Sequence, residues 1–185
     1  MANSVFKAIE FATKVHNGQF RKGTQIPFIV HPIGVGRKLI EIGASEALII
    51  AGFLHDSVED TSATLDEIRV LFGKKVAGII DAASEPDKAK SWKERKQHTI
   101  DKLKTASMDV LIVECADKLD NIKDIRNDYK AEGDKLWSRL TASKEDQKWY
   151  YTTLTKIFSK RAKGKILTSL SREFKAEVRN AFGKR

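Results

Sequence analysis

The chain has 185 residues, of which 41% are hydrophobic and 32% are charged, and its formal net charge is +9. This length fits one domain with a sizeable core, and three prolines and eleven glycines argue against a fibrous or low-complexity protein. The net positive charge favours a polyanionic partner, such as a nucleic acid, an acidic membrane surface or a highly phosphorylated small molecule. A basic surface that serves only solubility is the simplest alternative.

The chain has features of a protein from a reducing compartment. Its single cysteine, Cys115, cannot form an internal disulfide, and its apolar setting in 111–116 predicts a small core residue rather than a nucleophile. The first 14 residues contain no continuous apolar run of the secretory type, and no stretch approaches the ~20 apolar residues of a spanning helix. We therefore expect a cytoplasmic protein with no membrane partner.

Helical spacing of apolar residues runs through nearly the whole chain, and no alternating pattern is long enough to predict a strand. The segment 44–60 is the most apolar, and a helix that is apolar on most sides is a central, buried one. Basic or polar loops are expected over 18–27, 85–90 and 127–136. The predicted helices cover residues 5–16, 31–41, 44–60, 64–72, 74–83, 93–104, 109–127 and 143–160, with a further basic helix from 163.

These segments predict an all-α fold, in which a single bundle of several short helices surrounds the buried helix 44–60. The helix over 64–72 opens with a capping box, Thr64 followed three residues later by Glu67. We place the main domain over residues 1–160 and interpret 161–185 as a basic, helical extension of that same domain. There is no internal repeat.

The end of the apolar helix 44–60 carries the residues that are most suited to metal binding or catalysis. His55 and Asp56 are adjacent, Glu59 lies one turn after His55, and Asp60 lies one turn after Asp56. Three carboxylates this close to one another would repel, and their burial would cost solvation energy, unless a proton or a cation lies among them and the imidazole. A bound metal is the simplest resolution.

Two further ligands would have to come from other helices. His31 opens the helix 31–41, and Asp117 borders the core face of the helix 109–127. Taken alone, His31 could be a capping or core histidine, and Asp117 could pair with Lys118 or Lys123. Two imidazoles and two carboxylates together suit Mn²⁺, Fe²⁺ or Zn²⁺ better than Mg²⁺.

The order His31, His55-Asp56, Asp117 resembles the HD superfamily of phosphohydrolases. Longer segments resemble one branch of it, the hydrolase domain of the RelA/SpoT proteins and the stand-alone small alarmone hydrolases, including the metazoan SpoT homologues. The resemblance extends over roughly residues 4–160. The segments that carry it are 16–22, 27–35, 53–61, 94–96 and 116–121.

The resemblance implies a role for each matching residue. One Mn²⁺ ion, with Fe²⁺ or Zn²⁺ as alternatives, would be held by the four metal ligands His31, His55, Asp56 and Asp117. The attacking water would be positioned and activated by the acid pair Glu59 and Asp60. The substrate would be contacted by the basic pair Arg21 and Lys22, by Asn121 near the ribose and base, and by the basic residues Arg95 and Lys96. Lys148 is a further candidate for substrate binding, as a substitute and not as a match.

The chain departs from the family pattern in the residues expected to hold the far end of the substrate. Metazoan members have a Trp, an Arg and a Tyr after the Asp-to-Asn motif. Trp137 could match the Trp, although its spacing from Asn121 is longer here. The other two positions have no clear match, and the substitutes that we consider are Lys144, Lys148 and Tyr150. The aromatic run 149–151 is interpreted as helix packing.

The resemblance implies a manganese-dependent hydrolase that removes the 3′-pyrophosphate from (p)ppGpp and leaves GDP or GTP. We expect no synthetase activity, because the residues after 160 leave no room for that domain. One alternative is an HD-type hydrolase of another phosphorylated nucleotide, such as NADPH or a dNTP. A basic nucleic-acid-binding protein is the non-enzyme alternative, but no helix-turn-helix, zinc or aromatic-basic motif supports it, so nucleic acid is not the expected partner. The sequence leaves a homodimer open.

Overall fold

The computed structural model describes residues 2–84 and 89–183. Within these ranges the chain forms eleven α-helices and one isolated antiparallel bridge, between Phe20 and Pro27, so the predicted all-α class is confirmed. The helices are α1 (Ala2–Val15), α2 (Val30–Glu41), α3 (Glu46–Leu54), α4 (Ser57–Asp60), α5 (Leu65–Phe72), α6 (Lys74–Ala83), α7 (Trp92–Thr105), α8 (Met108–Glu132), α9 (Lys135–Arg139), α10 (Lys144–Arg161) and α11 (Gly164–Phe182).

The helix predicted over 44–60 is interrupted, because α3 ends at Leu54 and α4 begins at Ser57. In a continuous helix the Gly52 carbonyl would accept from the Asp56 amide. Here that carbonyl lies 2.9 Å from His55 Nδ1 and accepts the imidazole N–H. The side chain of His55 thus contacts an acceptor in the last turn of α3, and the break between the two helices falls at the two residues that were expected to bind metal.

The helix predicted over 109–127 is longer than expected, since α8 continues to Glu132 and ends before Gly133, whose φ is +62°. Tertiary contacts support this extra length. Asp128 and Glu132 pair with Arg139 of α9, and the ring of Tyr129 lies 5.5 Å from that of Trp137. Of the loop predicted over 85–90, residues 85–88 lie outside the described residues.

Two buried helices form the middle of the bundle. α3 is buried along most of its length, as the apolar run predicts, and α8 is buried continuously from Val110 to Asp117. α8 packs against α2, α3, α6, α9, α10 and α11. The first turn of α2, the end of α3 and the middle of α8 therefore meet inside the bundle, and the candidate site lies at this meeting point.

The C-terminal helix α11 packs on α8 and α10 and is tied to the bundle by ion pairs. Glu173 lies 2.6 Å from Lys38 Nζ of α2 and 2.7 Å from Lys123 Nζ of α8. The helix predicted in the basic tail is thus present. The division into a domain over 1–160 and an extension over 161–185 stays a prediction. Within the described part of the chain, no helix has both the length and the apolar character needed to cross a membrane.

The close approach of α2 and α3 depends on glycine. A Cβ at Gly36 would overlap the ring of Phe53, whereas a Cβ at Gly78, on the exposed side of α6, would meet open space. We predict that Gly36→Ala lowers the free energy of unfolding by about 1–3 kcal/mol through overpacking. Gly78→Ala, the matched control in another helix, should raise it by up to about 1 kcal/mol.

Chemical denaturation of both variants measures these changes. Equal effects of the two substitutions would show that helix propensity, and not the contact between α2 and α3, governs the response at Gly36.

Candidate metal centre and adjoining cavity

Three helices deliver the predicted metal ligands to one buried point. His31 comes from the first turn of α2, His55 and Asp56 from the break between α3 and α4, and Asp117 from the middle of α8. His31, His55 and Asp117 are only 2%, 6% and 4% exposed, and each has a ligand atom within 4.8 Å of the other two. These three residues form a candidate metal site of the kind found in HD domains.

The atoms that face one another are all potential ligands. His31 Nε2 lies 3.1 Å from His55 Nε2 and 3.2 Å from Asp117 Oδ1. Asp56 Oδ2 lies 3.1 Å from His55 Nε2 and 3.6 Å from His31 Nε2, so the fourth predicted ligand borders the same point. Two imidazole nitrogens and two carboxylate oxygens thus converge.

The other ring nitrogens determine which tautomers these histidines adopt. His55 Nδ1 faces the Gly52 carbonyl at 2.9 Å, and a carbonyl can only accept, so Nδ1 carries the proton. His31 Nδ1 lies 2.7 Å from Asp120 Oδ2 and donates to that carboxylate in the same way. In their neutral forms both imidazoles therefore point an Nε2 lone pair toward the carboxylates. Four lone pairs without a proton among them fit a cation.

The electrostatics of the cluster lead to the same conclusion. Burial alone lowers the pKa of His55, but the neighbouring carboxylates of Asp56 and Asp117 outweigh it and raise that pKa well above its usual value. Burial would raise the pKa of Asp56, yet the His55 imidazole holds it down at about 2. The point between these groups is thus strongly negative and attracts protons or a metal ion in their place.

Glycine permits the contact that orients His31. Gly34 lies one turn after His31 in α2, and a Cβ there would overlap the carboxylate of Asp120. No role was predicted for Asp120 from the sequence. Its position one turn after Asp117 on the same helix is a signal that could have identified it.

The metal ligands line a cavity of about 180 Å³, together with other polar side chains. Glu59 and Asp60, the predicted acid pair, also line it. Glu114 and Lys118, which sequence reasoning did not place here, also line it. The Lys118 ammonium pairs with Asp117 and lies 3.5 Å from Glu114, and these charges stabilise one another in a buried setting. The ion pair between Asp117 and Lys118, considered as an alternative to metal binding, therefore coexists with the site.

Asn121 connects the metal ligands to the basic loop. Its Nδ2 donates to Asp117 Oδ1 at 2.6 Å, and its Oδ1 accepts from Arg21 Nη2 at 2.8 Å. Arg21 also contacts Asp124 at 2.8 Å, and Lys22 contacts Thr141. The loop predicted over 18–27 is thus held against α8 and the segment after α9.

A larger cavity of about 610 Å³ adjoins the metal site. Its aromatic wall includes Trp92, Tyr150 and Tyr151, so the tyrosines interpreted as helix packing are both buried and cavity-lining. Lys22 lines this larger cavity but not the smaller one. Both cavities are lined by the shared residues Arg21, Phe28, Lys96, Lys118 and Asn121.

Four residues considered for substrate binding lie elsewhere, and one of them, Lys144, lines neither cavity and pairs with Asp134. Lys148 is exposed on α10, and neither it nor Arg95 lines either cavity. Trp137 packs on Tyr129 and stacks on Phe182 at 6.1 Å, away from both cavities. Helical spacing explains the position of Arg95, because Trp92, Lys96 and Thr99 occupy the side of α7 that faces the site.

The hydrogen bond between His31 and Asp120 should determine metal affinity. We predict that Asp120→Asn weakens Mn²⁺ binding about 10–100-fold, because the amide orients the imidazole less firmly and makes it a poorer ligand. Asp109→Asn, at the start of the same helix and paired with Lys75, is the matched control and should leave the affinity unchanged. Calorimetric titration with Mn²⁺ measures both variants. Unchanged affinity in Asp120→Asn would contradict this role.

Comparison with known families and proteins agrees with this geometry. The model of the family described as HD domain matches residues 8–148. The human guanosine-3′,5′-bis(diphosphate) 3′-pyrophosphohydrolase MESH1 is 37% identical over 127 residues, which cover 67% of this chain and 70% of that protein. The Aquifex aeolicus enzyme of the same activity is 38% identical over 125 residues, but these cover only 18% of its length.

Two solved structures share the fold. The Listeria monocytogenes protein lmo0812 superposes with a TM-score of 0.76 at 34% identity, covering 83% of this chain and 99% of that one. A metazoan orthologue of SpoT, which hydrolyses ppGpp, superposes with a TM-score of 0.77 at 24% identity, covering 98% and 97%. The chain belongs to the HD-domain family, and with its buried His-His-Asp centre it is an HD phosphohydrolase.

Proposed function

We propose that this protein is a Mn²⁺-dependent (p)ppGpp 3′-pyrophosphohydrolase that carries out no synthesis. The similarity to MESH1 and to the Aquifex aeolicus enzyme supports this substrate class. One structural observation carries the proposal furthest: the cavity at the metal ligands and the larger cavity share five lining residues, four of which are polar or charged. Such a junction suits a substrate with a phosphate group at one end and a nucleoside at the other.

The charges at the junction suit a pyrophosphate. Arg21, Lys96 and Lys118 border both cavities and are positively charged at neutral pH. Arginine can contact a phosphate through two parallel N–H groups, and lysine offers a point charge. Asn121 lies between them and the ligand Asp117, so an anion held here would lie beside the metal ligands.

The larger cavity suits the nucleoside and its 5′-phosphates. Its volume of about 610 Å³ lies within the usual range for small-molecule sites. Aromatic side chains along its wall can pack against a purine, and the polar side chain of Gln147 lies within the same lining. Lys22 and Arg139 line the same cavity and supply positive charge for the 5′-diphosphate.

The residues at the metal ligands suit hydrolysis at the 3′-oxygen. Water attacks the phosphorus bonded to the 3′-oxygen, the bond between them breaks, and pyrophosphate and a 3′-hydroxyl result. Glu59, with Asp60 beside it, takes the proton of the attacking water, and the departing 3′-oxygen takes up a proton. A Mn²⁺ held by His31, His55, Asp56 and Asp117 would supply a bound water of lowered pKa and screen the phosphate charge.

Substitutions separate the proposed base from the proposed ligands. Glu59→Gln should lower kcat by about 10²–10⁴-fold while Mn²⁺ still binds, because a general base is lost and the ligands remain. Asp56→Ala should lose both metal binding and turnover. Glu10→Gln, on the exposed side of α1, is the matched control and should behave like the wild type.

Hydrolysis of ppGpp and Mn²⁺ titration, measured on the same preparations, provide the two readouts, with thermal melting to verify folding. Full turnover in Glu59→Gln would remove this residue from the mechanism. Full turnover in Asp56→Ala would overturn the assignment of the metal site.

Substrate choice requires its own measurement. We expect kcat/KM on ppGpp to exceed that on NADPH and on dNTPs by at least about 100-fold, because two separate phosphate groups engage both cavities. Incubation with ATP and GDP should yield no ppGpp. A preference for NADPH or a dNTP would support a hydrolase with a different substrate. Formation of ppGpp would contradict the proposal that the protein carries out no synthesis.

A further inference from the structure

Most of the surplus positive charge lies in the last two described helices. Residues 147–183 contain nine lysines and arginines but only two acids, Glu173 and Glu177, so this segment contributes +7 of the net +9. The match to the HD-domain family model ends at residue 148, so nearly all of this charge lies beyond the matched residues.

Both acids of this segment are turned toward the bundle. Glu173 pairs with Lys38 and Lys123 as described above, and Glu177 pairs with Arg126 of α8 at 2.5 Å. Arg161 is also engaged, since its Nη2 donates to the Ala106 carbonyl at 2.8 Å. The outward side of the segment is therefore left without an acid. It exposes eight basic side chains, Lys148, Lys156, Lys160, Lys163, Lys165, Arg172, Lys175 and Arg179.

These cations are aligned along the surface. Lys165, Arg172 and Arg179 recur every seven residues on α11, which places their Cα atoms about 10 Å apart along one side of the helix, with Lys175 between the last two. α10 packs antiparallel beside it, with Ser159 Oγ 3.4 Å from Ser171 Oγ and the rings of Phe158 and Phe174 in contact. The solvent side of α10 adds Lys156. We call these five side chains the basic face.

The chemistry of the basic face distinguishes between polyanions. A helix that inserts into an anionic bilayer places large apolar side chains among its cations. In the described residues, the large hydrophobic side chains that are exposed all lie between Phe6 and Leu71, and none lies on α10 or α11. The apolar residues of α11, such as Leu170 and Phe174, are buried in the bundle. The surface offers charge alone, which suits a polyanion bound through its phosphates.

We propose that the basic face binds the phosphate backbone of a nucleic acid. None of its five residues lines either cavity of the candidate active site, so the binding is separate from phosphohydrolysis. Contacts with phosphates position a protein but read no sequence. Binding is therefore independent of base sequence, of micromolar strength and steeply dependent on salt.

The test measures fluorescence anisotropy of a labelled DNA duplex of roughly 20 base pairs, titrated with the full chain. At about 50 mM salt we expect a Kd of about 1–10 µM, and log K should fall against log salt with a slope of about −4, as for four to five neutralised phosphates. The triple variant Arg172→Glu, Lys175→Glu, Arg179→Glu should bind at least about tenfold more weakly.

A second triple variant controls for net charge. Lys7→Glu, Lys14→Glu, Lys74→Glu changes the charge by the same amount at exposed positions on α1 and α6, and it should retain most of the affinity. Melting curves and Mn²⁺ titration of both variants verify that each is folded. Equal loss of binding in the two triples would overturn the proposal, as would no binding at low salt. Binding to phosphatidylglycerol vesicles without binding to the duplex would also overturn the proposal and would indicate that the basic face binds a membrane surface.

Discussion

The convergence of four lone-pair donors at one buried point is the constraint on which the rest of the structure depends. Two imidazole Nε2 atoms lie 3.1 Å apart, and carboxylate oxygens approach both within 3.1–3.7 Å. Without a cation, such a cluster must bind protons or lose stability, because uncompensated buried charge is expensive.

Several local irregularities follow from this constraint. The chain breaks between α3 and α4 so that His55 can donate to the Gly52 carbonyl and turn Nε2 inward. Gly34 leaves room for Asp120, which orients His31 from the opposite side. Each is a departure from regular helix or from close side-chain packing, and each concerns a residue that holds a candidate ligand. Such departures concentrate where chemistry requires them.

Charge is divided between two surfaces with different roles. At the junction of the cavities, Arg21, Lys96 and Lys118 are partly buried and border acids, so they suit a small, highly charged ligand held in a defined position. On α10 and α11 the cations are exposed, and the acids of α11 instead secure that helix to α2 and α8. The same helix thus stabilises the bundle with its acids and presents its bases to solvent.

The sequence by itself determined the helical class, the positions of most helices and the order of the candidate ligands. These features depend on local periodicity, on caps such as Thr64 with Glu67, and on short motifs, all of which are readable along the chain. Only the tertiary structure decided that Asp120 and Lys118 join the site and that Lys148 lies outside it. These outcomes depend on contacts between residues far apart in sequence, such as His31 with Asp120, and local periodicity does not specify such contacts.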